Sequence, residues 1–213
     1  MAASRKILDL RNLLAERFVQ PPTPPANQIV TGIPVLDQAT GGGLAKGSIT
    51  EIISAQSSAG SALLIHNLLR VAQRQRFFIA LVDGRDSFDV QTASSNSLPY
   101  LLWVRCEKAT EATKAADFLL RDGNFPLVLL DLILNSPDEL RHIRPTTWYR
   151  FQRLVESAPT AFLVMSRHNL VASARTKIVL ENQWRLSDLS QEEMISQLRL
   201  RLERRQSTPS ALG

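Results

Sequence analysis

The chain has 213 residues, of which 44% are hydrophobic and 21% charged, and a net charge of +5. This length suits one domain with a sizeable core, and no apolar run approaches the roughly 20 residues of a membrane helix. The single cysteine, Cys106, excludes an internal disulfide and a thiolate metal cage, and the three histidines are scattered without metal-ligand spacing. We therefore expect a cytoplasmic protein without a resident metal, whose basic charge weakly favours nucleic acid or acidic partners.

The chain opens with a predicted amphipathic helix on a proline-rich tether, which together make up residues 1–28. Helical spacing of apolar residues runs from Arg5 to Phe18, and Pro21–Pro25 cannot continue a helix. The tether either packs on its own domain or docks on another subunit. Residues 29–206 are expected to form the main domain and residues 207–213 a disordered tail.

The main domain alternates between strand and helix patterns. Apolar runs predict strands at Ser48–Ile53, Phe77–Val82, Leu101–Cys106, Leu127–Leu134, Ala161–Met165 and Lys177–Leu180. Helices are predicted at Ala62–Ala72, Ala109–Asp122 and Thr147–Glu156, with a capping box at Ser136 and another at Ser190 that opens a last helix carrying Met194, Leu198 and Leu202 in line. This alternation predicts an α/β fold with a mainly parallel β-sheet flanked by helices.

The segment Ser54–Ser61 stands between a strand and a helix, where a phosphate loop belongs. A working loop reads G-x-x-x-x-G-K-S/T. Here Ala59 stands for the second glycine, Gly60 for the lysine, and only Ser61 fits. Taken alone, the segment does not indicate a phosphate loop, and its simplest interpretation is a serine-rich helix cap.

The flanking residues resemble the core of the RecA recombinases. Thr31-Gly32, Leu36-Asp37, Gly41–Leu44 and the strand Ser48–Ile52 match the segment before the phosphate loop of that family, and Phe78–Asp83 and Leu127–Asp131 look like its next strands. The resemblance implies a RecA-like core and places degenerate nucleotide-binding positions at Ser57, Ser58, Gly60 and Ser61. It also places Asp131 at the magnesium-linked acid of the Walker B strand.

Three positions depart from that family together. Gly60 replaces the phosphate-binding lysine, Arg85 replaces the glutamate that polarises water, and Arg167 replaces the glutamine that senses the γ-phosphate. An arginine cannot act as a base at neutral pH. We therefore expect a pseudo-ATPase with no catalytic residue and no required cofactor. The alternative is a residual ATP- and magnesium-dependent RecA paralogue that uses Ser61 and Asp131.

The degenerate loop and the N-terminal helix also resemble the ImuA-type proteins, RecA-related accessory factors of damage-induced mutagenesis in bacteria. This resemblance implies a partner of a translesion polymerase assembly, or of RecA itself, in an SOS-type response. SulA-type cell-division inhibitors show a similar reduction of the fold and are kept as the rival hypothesis. Self-association stays open, and no membrane contact is expected.

Two basic segments are candidate DNA contacts. Arg141 and Arg144 could neutralise phosphates of single-stranded DNA, and Trp148 could stack on a base. Arg167 and Arg175 bound a short segment where the RecA family has its second DNA loop. The competing interpretations are a solvated helix face for the first segment and an ordinary polar turn for the second.

Overall fold

The computed structural model describes residues 27–56, 60–184 and 197–205. Its strands are β1 (Gln28–Ile29), β2 (Leu44–Ala45), β3 (Ser48–Ile53), β4 (Ile79–Asp83), β5 (Leu101–Arg105), β6 (Leu127–Asp131), β7 (Ala161–Ser166), β8 (Thr176–Leu180) and β9 (Leu200–Arg205). Its helices are α1 (Pro34–Thr40), α2 (Ser61–Gln75), α3 (Ala109–Asp122), α4 (Pro137–Arg141) and α5 (Pro145–Glu156), with 3₁₀ turns at Val90–Thr92 and Leu98–Tyr100. None of these helices is long and apolar enough to cross a membrane.

The main sheet has seven strands in the order β5-β4-β6-β7-β3-β8-β9. The first six in this order are mutually parallel, and β9 runs antiparallel to β8 at one edge. β1 and β2 form a separate antiparallel pair. The α/β class and the mainly parallel sheet are thus confirmed, and they are consistent with a RecA-like core.

Helices cover both faces of the sheet because its central strands are apolar on both sides. Alternate residues of one strand enter different cores: Leu129 of β6 joins a cluster with α2, whereas Val128 and Leu130 join a cluster with α3 and α5. The capping box at Ser136 is confirmed. Ser136 Oγ accepts a hydrogen bond from Glu139 N, and Glu139 Oε2 accepts one from Ser136 N, each at 3.3 Å.

The predicted last helix is wrong over residues 200–205, which form β9 instead. Leu198 and Leu200 pack into the core beside α2, and the backbone of β9 pairs with β8 from Leu180 to Thr176. Tertiary pairing thus overrides the helical spacing of the leucines. Ser190 and Met194 lie outside the described residues, as do residues 1–26, which include most of the predicted helix and tether, and the tail 207–213.

The segment before the loop is shaped by one carboxylate and by glycines. Asp37 accepts hydrogen bonds from Thr31 N and Thr31 Oγ1, each at 2.8 Å, and from Gly32 N at 3.1 Å. Gly43 has φ of 132°, and a Cβ atom there would lie 2.2 Å from Ile29 O. Both features hold the backbone in place. The residues that carry the RecA resemblance here are therefore structural.

Candidate functional site at the carboxyl edge of the sheet

Gly60, Ser61 and Asp131, three of the positions singled out for nucleotide chemistry, lie at one edge of the sheet, the carboxyl end of the parallel strands. Ligands of open α/β sheets bind at this edge. The register shows the spacing: Met165 of β7 pairs with Asp131 on one side and with Ile52 on the other. At about 4.8 Å per strand, the Asp131 backbone lies about 10 Å from the strand that enters the loop.

The loop position itself leads directly into helix α2. Ser54 N donates to Ser166 O at 2.8 Å, which ties the end of β3 to the end of β7. Gly60 is the N-cap of α2, and Ser61 is its first residue. Among the residues that the structure describes, no side chain caps this helix end. Ser57 and Ser58 lie outside the described residues.

Gly60 is buried beneath the carboxy-terminal part of the chain. Its φ is 102°, and a Cβ atom there would lie 2.7 Å from Leu198 Cδ1 and 3.4 Å from Trp184 Nε1. A side chain at this position would therefore meet both a strained backbone and an occupied space. A lysine at this position would have to displace the end of the Leu198 side chain.

The turn after β4 is built around the buried carboxylate of Asp83. Asp83 Oδ2 accepts hydrogen bonds from Ser87 N and Phe88 N, each at 2.7 Å, and from Trp103 Nε1 at 3.3 Å. These donors fill one oxygen of the carboxylate and fix the path of the chain through Arg85 and Asp86. Asp83 thus has a structural role.

Arg85, at the water-polarising position, holds neighbouring segments together. Its Nη1 donates to Glu107 O at 2.7 Å and lies 3.3 Å from Glu139 Oε1. Together with the Asn135 amide, which is the larger cause, this arginine keeps the pKa of Glu139 below its usual value. Arg85 therefore links the turn after β4 to the start of α3 and to α4.

Asp86, the adjacent carboxylate, is engaged elsewhere. It has a left-handed φ of 52°, and its two oxygens accept hydrogen bonds from Arg105 Nε and Nη2, each at 2.5 Å. This bidentate pair lies on the surface. The carboxylate of Asp86, beside Arg85, is therefore already paired with a cation.

Asp131 lies at the end of β6, and its carboxylate is partly buried. Its Oδ1 accepts a hydrogen bond from Ile133 N at 3.0 Å. Burial raises its pKa to about 6, the nearby Asp83 carboxylate adds to the rise, and the Ile133 hydrogen bond opposes it. Within the described residues, no group of three His, Cys, Asp or Glu side chains could hold a metal ion.

A buried ion pair, which the apolar and motif patterns did not indicate, underlies the segment between β7 and β8. Glu51 Oε2 lies 2.9 Å from Lys177 Nζ, with the side chains 0% and 5% exposed. Glu51 Oε1 accepts hydrogen bonds from Leu170 N at 2.6 Å and Val171 N at 2.9 Å, and Lys177 Nζ also donates to Asn169 Oδ1. Glu51 and Lys177 thus pin the segment that follows Arg167.

The prediction that Trp148 stacks on DNA is wrong. Trp148 is only 2% exposed and packs edge-on against Phe151, because it lies on the face of α5 that packs against the sheet. The neighbouring Tyr149 is 51% exposed instead. Arg144 is exposed at the N-cap of α5, and the exposed Arg141 pairs with Asp138.

The structure does not bring Arg167 and Arg175 together. Arg167 follows Ser166, which pairs with Ile53 at the carboxyl edge, whereas Arg175 N donates to Ile49 O at 2.9 Å. These two levels are four residues apart along β3, or about 13 Å. The segment between β7 and β8 therefore crosses a face of the sheet, and only its first residues belong to the candidate site.

Comparison with known proteins finds partial homology to RecA. The chain is 33% identical over 112 residues to RecA of Clavibacter michiganensis subsp. michiganensis, which covers 51% of this chain and 31% of the relative. It is 28% identical over 120 residues to RecA of Streptomyces avermitilis (55% and 32%) and 32% identical over 108 residues to RecA of Chlorobaculum tepidum (49% and 31%). No family model matches the chain.

The chain thus spans about a third of the length of the curated relatives it matches. This partial homology, together with the fold, supports a RecA-like family. This partial homology does not assign the activity or the partners of the full-length relatives to this chain.

Proposed function

We propose that this chain is a non-hydrolysing, RecA-like accessory protein of DNA-damage tolerance, of the ImuA type, that acts through protein contacts. The observation that carries the proposal is the packing at Gly60. Leu198 and Trp184 lie against the backbone where a phosphate-binding lysine would project. The RecA homology supports a role related to DNA repair or recombination.

The arrangement of Arg85 adds a second, independent support. A water-activating group must reach a reacting water with a free basic atom. Arg85 is cationic, and its guanidinium is bonded to Glu107 O and Glu139. Asp86 is held by Arg105. Positioning and charge stabilisation account for most of the catalysis in phosphoryl transfer, and these residues offer little of either.

We expect the purified protein to show no ATP hydrolysis above background, with or without magnesium and single-stranded DNA. Phosphate release is measured for the wild type, for Asp131→Ala and for Asp138→Ala, which alters an exposed carboxylate. All three should be equal. Hydrolysis that disappears in Asp131→Ala and persists in Asp138→Ala would contradict the proposal.

The second candidate function is a residual ATP-dependent RecA paralogue. It is favoured by Ser61 at the first position of α2 and by Asp131 at the same edge of the sheet. A ligand present at 100 times its Kd stabilises a protein by about 2.7 kcal/mol. Millimolar Mg-ATP should therefore raise Tm by several degrees if this candidate is right, and should leave it unchanged if the first proposal is right.

The partner is identified by affinity purification of the tagged protein from DNA-damaged cells. Recovery of a translesion polymerase or of RecA supports the accessory role. Recovery of the division protein FtsZ, together with filamentous growth on overexpression, would instead favour the SulA-type hypothesis.

We also propose that the exposed face of α5 contacts single-stranded DNA. Tyr149 takes the place proposed for Trp148, since its ring is half exposed, and Arg153 lies four residues further on the same face. Arg144 precedes them at the helix start. An exposed ring beside cations suits single-stranded nucleic acid.

Tyr149→Ala is expected to weaken single-strand DNA binding by about 5- to 150-fold, which corresponds to about 1–3 kcal/mol for one stacked base. Arg144→Ala should weaken binding and also lower its salt dependence. Fluorescence anisotropy at several salt concentrations measures both. Phe118→Ala is the control, because it removes another exposed ring, from α3. Equal effects of Tyr149→Ala and Phe118→Ala would show that the face of α5 has no special role.

A further inference from the structure

The outer face of α3 exposes an aromatic ring between two cations. Phe118 is 41% exposed, whereas Leu119 and Leu120, which follow it in the helix, are buried. Lys114 precedes Phe118 by four residues and Arg121 follows it by three, and both are exposed. Residues at these spacings share one face of a helix. The outer face of α3 therefore presents an apolar ring flanked by positive charge.

A third cation, Arg150 of α5, is fixed beside this face by Asp117. Arg121 Nε lies 2.9 Å from Asp117 Oδ2, and Arg150 Nε lies 2.9 Å from Asp117 Oδ1. The Arg150 guanidinium also lies over the buried ring of Phe151, with its Cζ atom 5.7 Å from the ring centroid. Both arginine side chains are half exposed. Each contacts Asp117 through Nε, and an arginine carries two further nitrogens that can bind a second carboxylate.

A cavity of about 430 Å³ opens beside Arg121, between the carboxy-terminal ends of α3 and α5. Its lining includes Leu120, Leu154, Ala158 and Pro159, so much of its wall is apolar. A cavity of this size can take an aliphatic or aromatic side chain. Because Arg121 lines the cavity and is also held by Asp117, a side chain in the cavity lies next to the two guanidinium groups.

We propose that this α3 docking face, made up of Lys114, Phe118, Arg121, Arg150 and the cavity beside them, binds an acidic segment of a protein partner. Carboxylates of the segment pair with the terminal nitrogens of the two arginines, and an apolar side chain fills the cavity. Aromatic and arginine side chains carry much of the binding energy in protein interfaces. The inference rests on the proposed function, in which the chain acts through protein contacts, and names the surface and the chemistry of one such contact.

The charges of the α3 docking face favour a protein segment over nucleic acid. The partly exposed Asp117 carboxylate lies between Arg121 and Arg150, so it repels a continuous phosphate backbone that follows them. An acidic protein segment carries fewer anions, which can meet the guanidinium groups and avoid Asp117. Tyr149, proposed to contact DNA, is next to Arg150 in α5 and points about 100° away from it around the helix. The two proposed surfaces therefore lie on different sides of α5.

Selection from a peptide library tests the chemistry of the partner. Random peptides displayed on phage are selected on the immobilised whole chain. We expect the selected peptides to share Asp or Glu residues beside an aromatic or large aliphatic residue. A synthetic consensus peptide should bind more weakly at high salt, because exposed charge pairs are screened. No enrichment, or enriched peptides without acidic residues, would overturn the proposal.

Single variants locate the binding site of the consensus peptide. Phe118→Ala and Arg121→Met are each expected to weaken its binding by about tenfold or more, as measured by fluorescence anisotropy. Methionine keeps most of the apolar stem of arginine without the charge. The matched controls are Tyr149→Ala, at an exposed ring of α5, and Arg201→Met, at an exposed arginine paired with Glu181. Both controls should bind the peptide as the wild type does, and equal effects of variants and controls would overturn the α3 docking face.

The same variants separate this inference from the proposed function. ATP hydrolysis by the wild type would contradict the accessory role and leave the peptide result unaffected. Capture of RecA or a translesion polymerase by the wild type, and equally by Phe118→Ala and Arg121→Met, would support the accessory role and overturn the α3 docking face. Phe118→Ala should also leave single-strand DNA binding unchanged, and a loss of DNA binding would show that this face contacts nucleic acid instead.

Discussion

Lys177→Met is expected to lower the free energy of unfolding by about 3–5 kcal/mol, because it leaves the buried carboxylate of Glu51 without its cation. Such a loss is a large part of the roughly 5–15 kcal/mol that stabilises an ordinary domain. Glu51 would keep its two backbone donors, Leu170 N and Val171 N. These hydrogen bonds offset only part of the cost of a buried charge.

Chemical denaturation measures this loss, and hydrogen exchange locates it. Exchange of the Leu170 and Val171 amides should accelerate more than that of the central strands, because Glu51 holds both amides directly. The double variant Glu51→Gln/Lys177→Met should be less destabilised than Lys177→Met, since it buries no lone charge. Arg201→Met breaks an exposed pair with Glu181 and should cost less than about 1 kcal/mol. A Lys177→Met loss no larger than that of Arg201→Met would contradict the interpretation.

Asp131→Asn is expected to stabilise the protein at neutral pH and to have little effect at pH 4. Burial raises the pKa of Asp131 from its ordinary 3.8 to about 6 in the folded protein. The folded state therefore binds this proton more tightly than the unfolded state. The resulting stability is fully present below pH about 4 and is lost as the pH rises through about 6.

The size of the effect follows from the same linkage. Each pKa unit corresponds to about 1.4 kcal/mol, so this rise corresponds to about 3 kcal/mol in the free energy of unfolding. The measurement is the difference in free energy of unfolding between Asp131→Asn and the wild type, taken from pH 4 to pH 8. It should grow with pH and level off above pH about 7. The control is Asp138→Asn at an exposed carboxylate, for which the difference in free energy of unfolding should change much less with pH. If the difference for Asp131→Asn does not change with pH, burial does not raise the pKa of this carboxylate.

The central strands could be predicted from the sequence because a short, almost wholly apolar run suits a strand that is buried on both faces. Ala161–Ser166 lies where its run predicts it, and Leu127–Asp131 covers the first five residues of the strand predicted at Leu127–Leu134. Strand β9 was missed because Leu198 and Leu202 are four residues apart, a spacing that suits a helix. The same stretch, Leu198 to Glu203, also alternates strictly between leucine and charged residues, which is the signal of a strand.

Parts of the candidate site depend on contacts that a linear sequence does not contain. Glu51 and Lys177 are far apart in the chain and meet only because β3 and β8 pair in one register. Trp148 and Tyr149 are adjacent in α5, so one faces the core and the other faces solvent. The apolar pattern of α5 did not show which of the two is buried. The sequence shows that Gly60 stands at the lysine position, but its neighbour Leu198 is far away in the chain and meets it only in the fold.

The Asp37 turn and the close approach at Gly43 have a consequence for the history of the chain. Both hold the backbone of the segment that resembles RecA, and neither reaches toward a phosphate. Selection to keep the protein folded therefore acts on these residues whether or not a nucleotide is ever bound. A lineage could abandon its reaction and still look like its ancestor, because the most recognisable letters of its sequence belong to the scaffold.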